Sequence, residues 1–228
     1  MRLLRAAFFS LSILAFVPTR PLRAQDVTPA PVSAKSWSFE LFAGSSWSAP
    51  TPLTIWQTGQ PDIHTMAHYK TKPWTGSPYY SFRIARWKGS RAWAVDFTHH
   101  KLYLDDLPTD VQHFEVSHGY NMLHLSRIWD VDHWLLSVGG GVIFTHPENT
   151  VRNQEFYPES GGTLGGGYYL SGVTLLGAVG RHVKIAGPLF ATGLGKMSLS
   201  AARIRVVDGG AEVPNVAFHL NLGLGVKL

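Results

Sequence analysis

Residues 218–228 read Phe218-His219-Leu220-Asn221-Leu222-Gly223-Leu224-Gly225-Val226-Lys227-Leu228. Large apolar residues alternate with polar residues or glycine. Side chains of a strand alternate between its two faces, so one face of this strand suits hydrocarbon and the other a polar interior. A tilted strand crosses a bilayer in about 9–11 residues, the length of this stretch. The strand closes on the apolar Leu228, which is expected to act like the C-terminal signal of outer-membrane barrels, with Leu in place of the more usual aromatic.

The same period of two runs backwards from this strand to Lys35 and predicts seven more strands. They lie near 36–47, 78–88, 91–103, 118–130, 133–146, 167–182 and 187–206, with the last at 212–228. Tight turns join them on one side, at Trp87–Ser90, Asp130–His133 and Val183–Gly187. Longer connections lie on the other side, at 48–77, 104–117, 147–166 and 207–211, and the first has room for a short strand around Asp62–Lys70. Short turns opposite long loops mark the periplasmic and extracellular ends of a bacterial barrel. The expected fold is all-β, an eight-stranded antiparallel transmembrane β-barrel over 36–228. A soluble carrier barrel would need a polar outer face. The outward positions here are Trp93, Val95, Phe97, Leu136, Val138, Val142 and Phe144.

Composition agrees. Charged residues make up only 15% of the chain, and there are 23 glycines and no cysteine, which excludes disulfides and thiolate chemistry. The N-terminus explains the basic charge. Met1–Arg5 is positive, Ala6–Val17 is apolar, and a polar stretch ends at Ala24. This is the layout of a cleaved secretory signal peptide over 1–24, followed by a linker over 25–35. Its apolar run is too short to span about 30 Å as a helix. The signal carries four of the 20 basic residues and no acid, leaving 16 against 15 acids, a net of +1. Nothing in that balance calls for nucleic acid. The expected location is the outer membrane of a Gram-negative cell. The expected partners are outer-membrane lipid or lipopolysaccharide, with barrel-assembly machinery for insertion.

Histidine carries the chemistry. Three stretches combine it with acids near the long loops: Asp96–Tyr103, His113–Ser126 and Phe144–Asn149. With Trp93, Val95 and Phe97 facing lipid, Asp96, Thr98 and His100 face the lumen. The same phase turns His118, Tyr120, His124 and Ser126 inward. His100, His118 and Glu115 are therefore expected to converge at the extracellular mouth, with His146 and Glu148 entering from the next loop. Imidazoles and carboxylates in that arrangement suit a divalent metal ion or proton transfer. The candidate metal ligands are His100, His118, His146 and Glu148. Tyr79, Tyr80, Trp87 and Trp93 are expected in the aromatic belts.

These stretches resemble lipid A oxidase and its small-barrel relatives. The resemblance rests on Asp96-Phe97-Thr98-His99 with Lys101, on Gly119–Asn121 leading into a long strand, on Pro147-Glu148 after a glycine-rich strand, and on Tyr79-Tyr80 after Pro78. It covers most of residues 75–150. It implies an outer-leaflet enzyme that oxidises the glucosamine of lipid A with oxygen and a divalent cation, and it adds Asn121 to the catalytic candidates His100, His118 and Glu115. Two other readings stand beside it. The His124-Leu125-Ser126 pair, with Glu115 as the acid, suggests a lipid A deacylase. A barrel that is structural, adhesive or ligand-binding would need no converging histidines.

Overall fold

A computed structural model describes residues 35–158 and 161–228. The expected signal peptide, and the expected linker up to residue 34, lie outside the described residues. Thirteen antiparallel strands follow in chain order. They are β1 (Lys35–Ala49), β2 (Thr51–Gln57), β3 (Ile63–Ala67), β4 (Tyr69–Lys70), β5 (Tyr80–Lys88), β6 (Arg91–Leu104), β7 (Val111–Val131), β8 (Trp134–Thr145), β9 (Glu148–Val151), β10 (Gln154–Phe156), β11 (Tyr169–Ala186), β12 (Leu189–Val206) and β13 (Gly209–Lys227).

Eight of them close a ring. β1 pairs with β5, β5 with β6, β6 with β7, β7 with β8, β8 with β11, β11 with β12, β12 with β13, and β13 returns to β1. Closure leaves the wall no open edge in the bilayer, where an unpaired peptide group costs several kcal/mol. The fold is an antiparallel transmembrane β-barrel. Leu41, Trp93, Leu125, Val138, Val173, Leu175, Leu220, Leu222 and Leu224 are exposed on its outside, as a lipid-facing band requires.

The five short strands extend the wall past the extracellular margin. The β2–β3 hairpin pairs with the start of β13, and the β9–β10 hairpin with the start of β7. The expected connections at 104–117 and 207–211 are corrected by this extension. Residues 111–117 already belong to β7, and β12 passes to β13 through a tight turn with Asp208 at φ 54°. The reason is alternation that persists beyond the membrane, with Val111, Phe114 and Val116 facing inward.

The interior has three layers. Next to the tight turns lies a small apolar cluster that includes Trp87, Ile128 and Leu135. Above it the interior is polar. Arg83 Nε donates to Asp96 Oδ1 at 2.6 Å, and Lys196 Nζ donates to Thr98 Oγ1 at 2.8 Å. Buried charges are tolerated only when paired and hydrogen-bonded, and these strands cross-link the lumen that way. Above lies an apolar plug in which Leu53, Ile55, Leu102, Phe114, Val116 and Val213 pack together. The mouth, where His100, His118 and Glu115 are expected to converge, is therefore filled by an apolar core. Two belt expectations also change. Tyr79 and Trp87 are buried inside, bonded to His219 Nδ1 at 3.0 Å and Ser38 Oγ at 2.9 Å, because the phase that puts Tyr80 and Arg86 outside turns their neighbours inward.

Candidate functional site

A break in register creates the site. His100 lies opposite Tyr120, but Leu102 lies opposite Val116, so Ser117, His118 and Gly119 of β7 face a single residue of β6. The bulge turns on Gly119, whose φ of 131° is readily adopted by glycine and rarely by other residues. It interrupts the alternation locally, and the phase is the same on both sides. Tyr120, Met122 and His124 point inward as expected, whereas the side chain of His118 is 51% exposed. The expected meeting of His100 with His118 and Glu115 is therefore corrected. His100 is fully buried inside the barrel, with Nδ1 3.0 Å from Ser46 Oγ. His118 and Glu115 belong to the outer face, with the wall between them and His100.

On that outer face four candidates do come together. His118 Nδ1 is hydrogen-bonded to Glu148 Oε1, and His146 Nε2 lies 4.0 Å from the same oxygen. The His118 and His146 rings are 5.2 Å apart. One ligand atom from each of His118, His146 and Glu148 falls within 4.8 Å of the others. Glu115 is the cross-strand partner of Glu148, and His113 Nε2 reaches Glu115 Oε2 at 3.5 Å. His113, Glu115 and Glu148 form a second group of the same span. Two carboxylates directly opposite on one sheet face repel each other, a cost that a cation between them offsets.

Gly167 and Tyr168, just before β11, roof this cluster. The Tyr168 hydroxyl donates to the carbonyl of His118 at 2.9 Å, and its ring meets His146 edge-on at 5.1 Å. Gly167 packs so closely that a Cβ there would lie 2.6 Å from His146 Cε1. His146 is consequently buried, and among the described residues neither of its ring nitrogens has a hydrogen bond of good geometry. Burial, and then the charge of His118, hold its pKa below the ordinary histidine range, while Glu148 and the backbone of Gly166 oppose them. A neutral imidazole with a free lone pair is what a cation binds. The residues present therefore fit a divalent ion held by His118, His146 and Glu148.

Asn121 is outward and bonded to His99, which belongs to the resemblance stretch Asp96–His99 but not to the site candidates. His99 Nδ1 and Asn121 Oδ1 are 2.7 Å apart, and the His99 ring stacks on Tyr80 at 5.1 Å. His99 was missed because its phase is that of the lipid-facing Val95 and Phe97, and Tyr168 because it lies in a glycine-rich connection. His124 and Ser126 point into the lumen and are buried, so the deacylase pair cannot meet a lipid ester.

No family model and no curated protein matches the chain. Solved structures do. The solid-state NMR structure of outer membrane protein AlkL in DMPC lipid bilayers superposes with a TM-score of 0.52 at 11% identity, over 90% of this chain and 96% of that one. The crystal structure of neisserial surface protein A, NspA, has a TM-score of 0.40 at 11% identity, over 87% of this chain and 100% of that one. The chain is an outer-membrane β-barrel. The likeness to AlkL concerns the fold of that barrel alone, and the chemistry rests on the site.

Proposed function

We propose that this barrel modifies an outer-leaflet lipid of the lipid A class with the help of a divalent cation held by His118, His146 and Glu148. One observation carries the reading: the three ligands lie on the outside of the wall at head-group height. A strand tilted by about 40° gains about 2.5 Å of height per residue, so His146, some thirteen residues above the β7–β8 turn, stands about 30 Å up. The lipid-facing band of such barrels is about 25 Å tall. A bound cation would act as a Lewis acid on a head-group oxygen. His99 and Asn121 supply polar contacts beneath it, and the Tyr168 roof limits water.

The oxidase-like form of this chemistry is the finer part of the proposal. Mass spectrometry of lipid A from a Gram-negative host expressing the chain tests it, beside the His146→Ala variant. A mass increase that the variant lacks supports oxidation, and loss of an acyl mass replaces oxidation with hydrolysis. An unchanged spectrum from folded, cation-supplied barrel sinks the catalytic reading in favour of a binding or structural barrel.

A further inference from the structure

A row of outward positions leaves the site and runs diagonally down the wall. Asn121 pairs with His99, His99 with Tyr80, Tyr80 with Ala43, Ala43 with Leu222, and Leu222 with Gly193. Its polar end is Asn121, some eleven residues above the β7–β8 turn and so about 25 Å up. Its apolar end is Gly193, some five residues above the β11–β12 turn and so about 12 Å up, near the middle of the bilayer. The row thus has the polarity and the depth of a lipid in the outer leaflet.

The row is also a trough. Small residues, Ala43 on β1 and Gly193 with Ala191 on β12, flank the exposed Leu222 and Leu224 of β13, and Leu41 stands on the β1 side. Trp74 and Pro78, from the connection between β4 and β5, stand at its upper end. The hollow measures about 920 Å³. Small-molecule sites run from about 300 to 1,000 Å³. Packing does not account for the glycine at 193, since a Cβ there would meet only Leu222 Cδ2, at 4.0 Å. A leucine would fit that position and fill the trough.

We infer that this trough seats one acyl chain of the lipid whose head group lies at the His118–His146–Glu148 cluster. The upper end of the inference rests on the proposed lipid-modifying site, and the trough itself rests on the register row. The occupant is an acyl chain rather than a protein helix. The hollow faces the bilayer, the row along it runs from a polar end at Asn121 and His99 above to an apolar end toward the midplane, and no charged side chain lies along the row.

The test uses the full barrel in phosphatidylglycerol vesicles doped with a phospholipid that bears a diazirine midway along its acyl chain. After irradiation, labelled residues are mapped by mass spectrometry. Labelling of Ala43, Gly193 and Leu222 is expected to exceed that of Leu125, Val138 and Leu175 on the other side of the wall severalfold. Gly193→Leu is expected to bring it down to the common level, and Ala43→Leu to act in the same direction. Heat-modifiable mobility on gels confirms folding, and either variant alone suffices if the other fails to insert. Uniform labelling around the band, or enrichment that both filled variants retain, overturns the trough. Calorimetric titration with Mn²⁺ on the same samples separates the two proposals. Enrichment without cation binding keeps the trough and removes the cation site. Cation binding with uniform labelling does the reverse.

Discussion

His118 and Glu148 are hydrogen-bonded to each other across thirty residues of sequence, on the outside of the barrel, while His146 Nε2 lies 4.0 Å from the same carboxylate oxygen. This three-way contact is the part of the molecule that solvation alone does not explain. His146 is buried, and among the described residues neither of its ring nitrogens has a hydrogen bond of good geometry; a buried polar group without a partner costs about 1–3 kcal/mol. A cation recovers that cost. The wild-type barrel is expected to bind Zn²⁺ more tightly than Mn²⁺, in the order usual for nitrogen and oxygen donors. His146→Ala removes one of three ligands and is expected to weaken binding by at least about tenfold, with folding intact. Isothermal titration on purified barrel measures both. Equal affinity in wild type and variant would show that the cluster binds no cation.

Ser126 and His124 give a contrasting expectation. Both side chains are buried in the lumen, with His124 Nε2 3.2 Å from Thr174 Oγ1. Ser126→Ala is therefore expected to leave any change in lipid A mass at the wild-type level, within about twofold, because a nucleophile must come within hydrogen-bond reach of the bond it attacks. Loss of that change in Ser126→Ala, with the barrel still folded, would restore the hydrolase reading.

Most of the wall was legible in the sequence because a membrane barrel makes the strongest demand on alternation. Leu220, Leu222 and Leu224 face lipid and His219 and Asn221 face a wet-like interior, so each strand declares its phase. The extracellular extension was less legible. Its inward residues, Val111, Phe114 and Val116, are apolar around an apolar plug, which reverses the polarity that identifies strands below. Their polar partners His113 and Glu115 made the segment read as a loop. The site residues His118, His146 and Glu148 were recognisable by type, but their side of the wall was not. The bulge inserts two extra positions, so Phe114 and Val116 keep the inward phase of Tyr120 while His118 alone is turned out, and only Gly119 hints at it.

The lumen supports a prediction about stability. Asp96 is 2.6 Å from Arg83 Nε, and both are buried. Asp96→Ala leaves Arg83 without its partner, the kind of change that costs about 3–5 kcal/mol. The variant is expected to lose heat-modifiable folding at a lower temperature than wild type. Removing both charges, as Arg83→Met with Asp96→Leu, is expected to recover much of that loss. Thermal melts in detergent decide the point. If the double variant melts no higher than Asp96→Ala, the cost lies in packing rather than in the unpaired charge.

The bulge links stability to the site, and Gly119→Ala tests the link. At φ 131° an alanine is strained by about 1–3 kcal/mol, and its Cβ would collide with the side chain of Asn121. Either β7 shifts to relieve the strain or Asn121 swings away from His99, whose bond to it is 2.7 Å long. Both responses move the neighbouring His118 relative to Glu148, and metal sites tolerate little displacement of a ligand. Gly119→Ala is therefore expected to insert and fold, since the rest of the wall is untouched, yet to bind cation at least about tenfold more weakly than wild type. Ser117→Ala leaves the backbone requirement of the bulge unchanged and removes only a 3.3 Å hydroxyl contact to His118 Nδ1, so it is expected to bind within about fivefold of wild type. Titration of both variants, with gel mobility as the folding control, tests the link. Weakened binding in Gly119→Ala alone ties the site to the backbone turn. Normal binding in both variants would mean that the bulge does not set the position of His118.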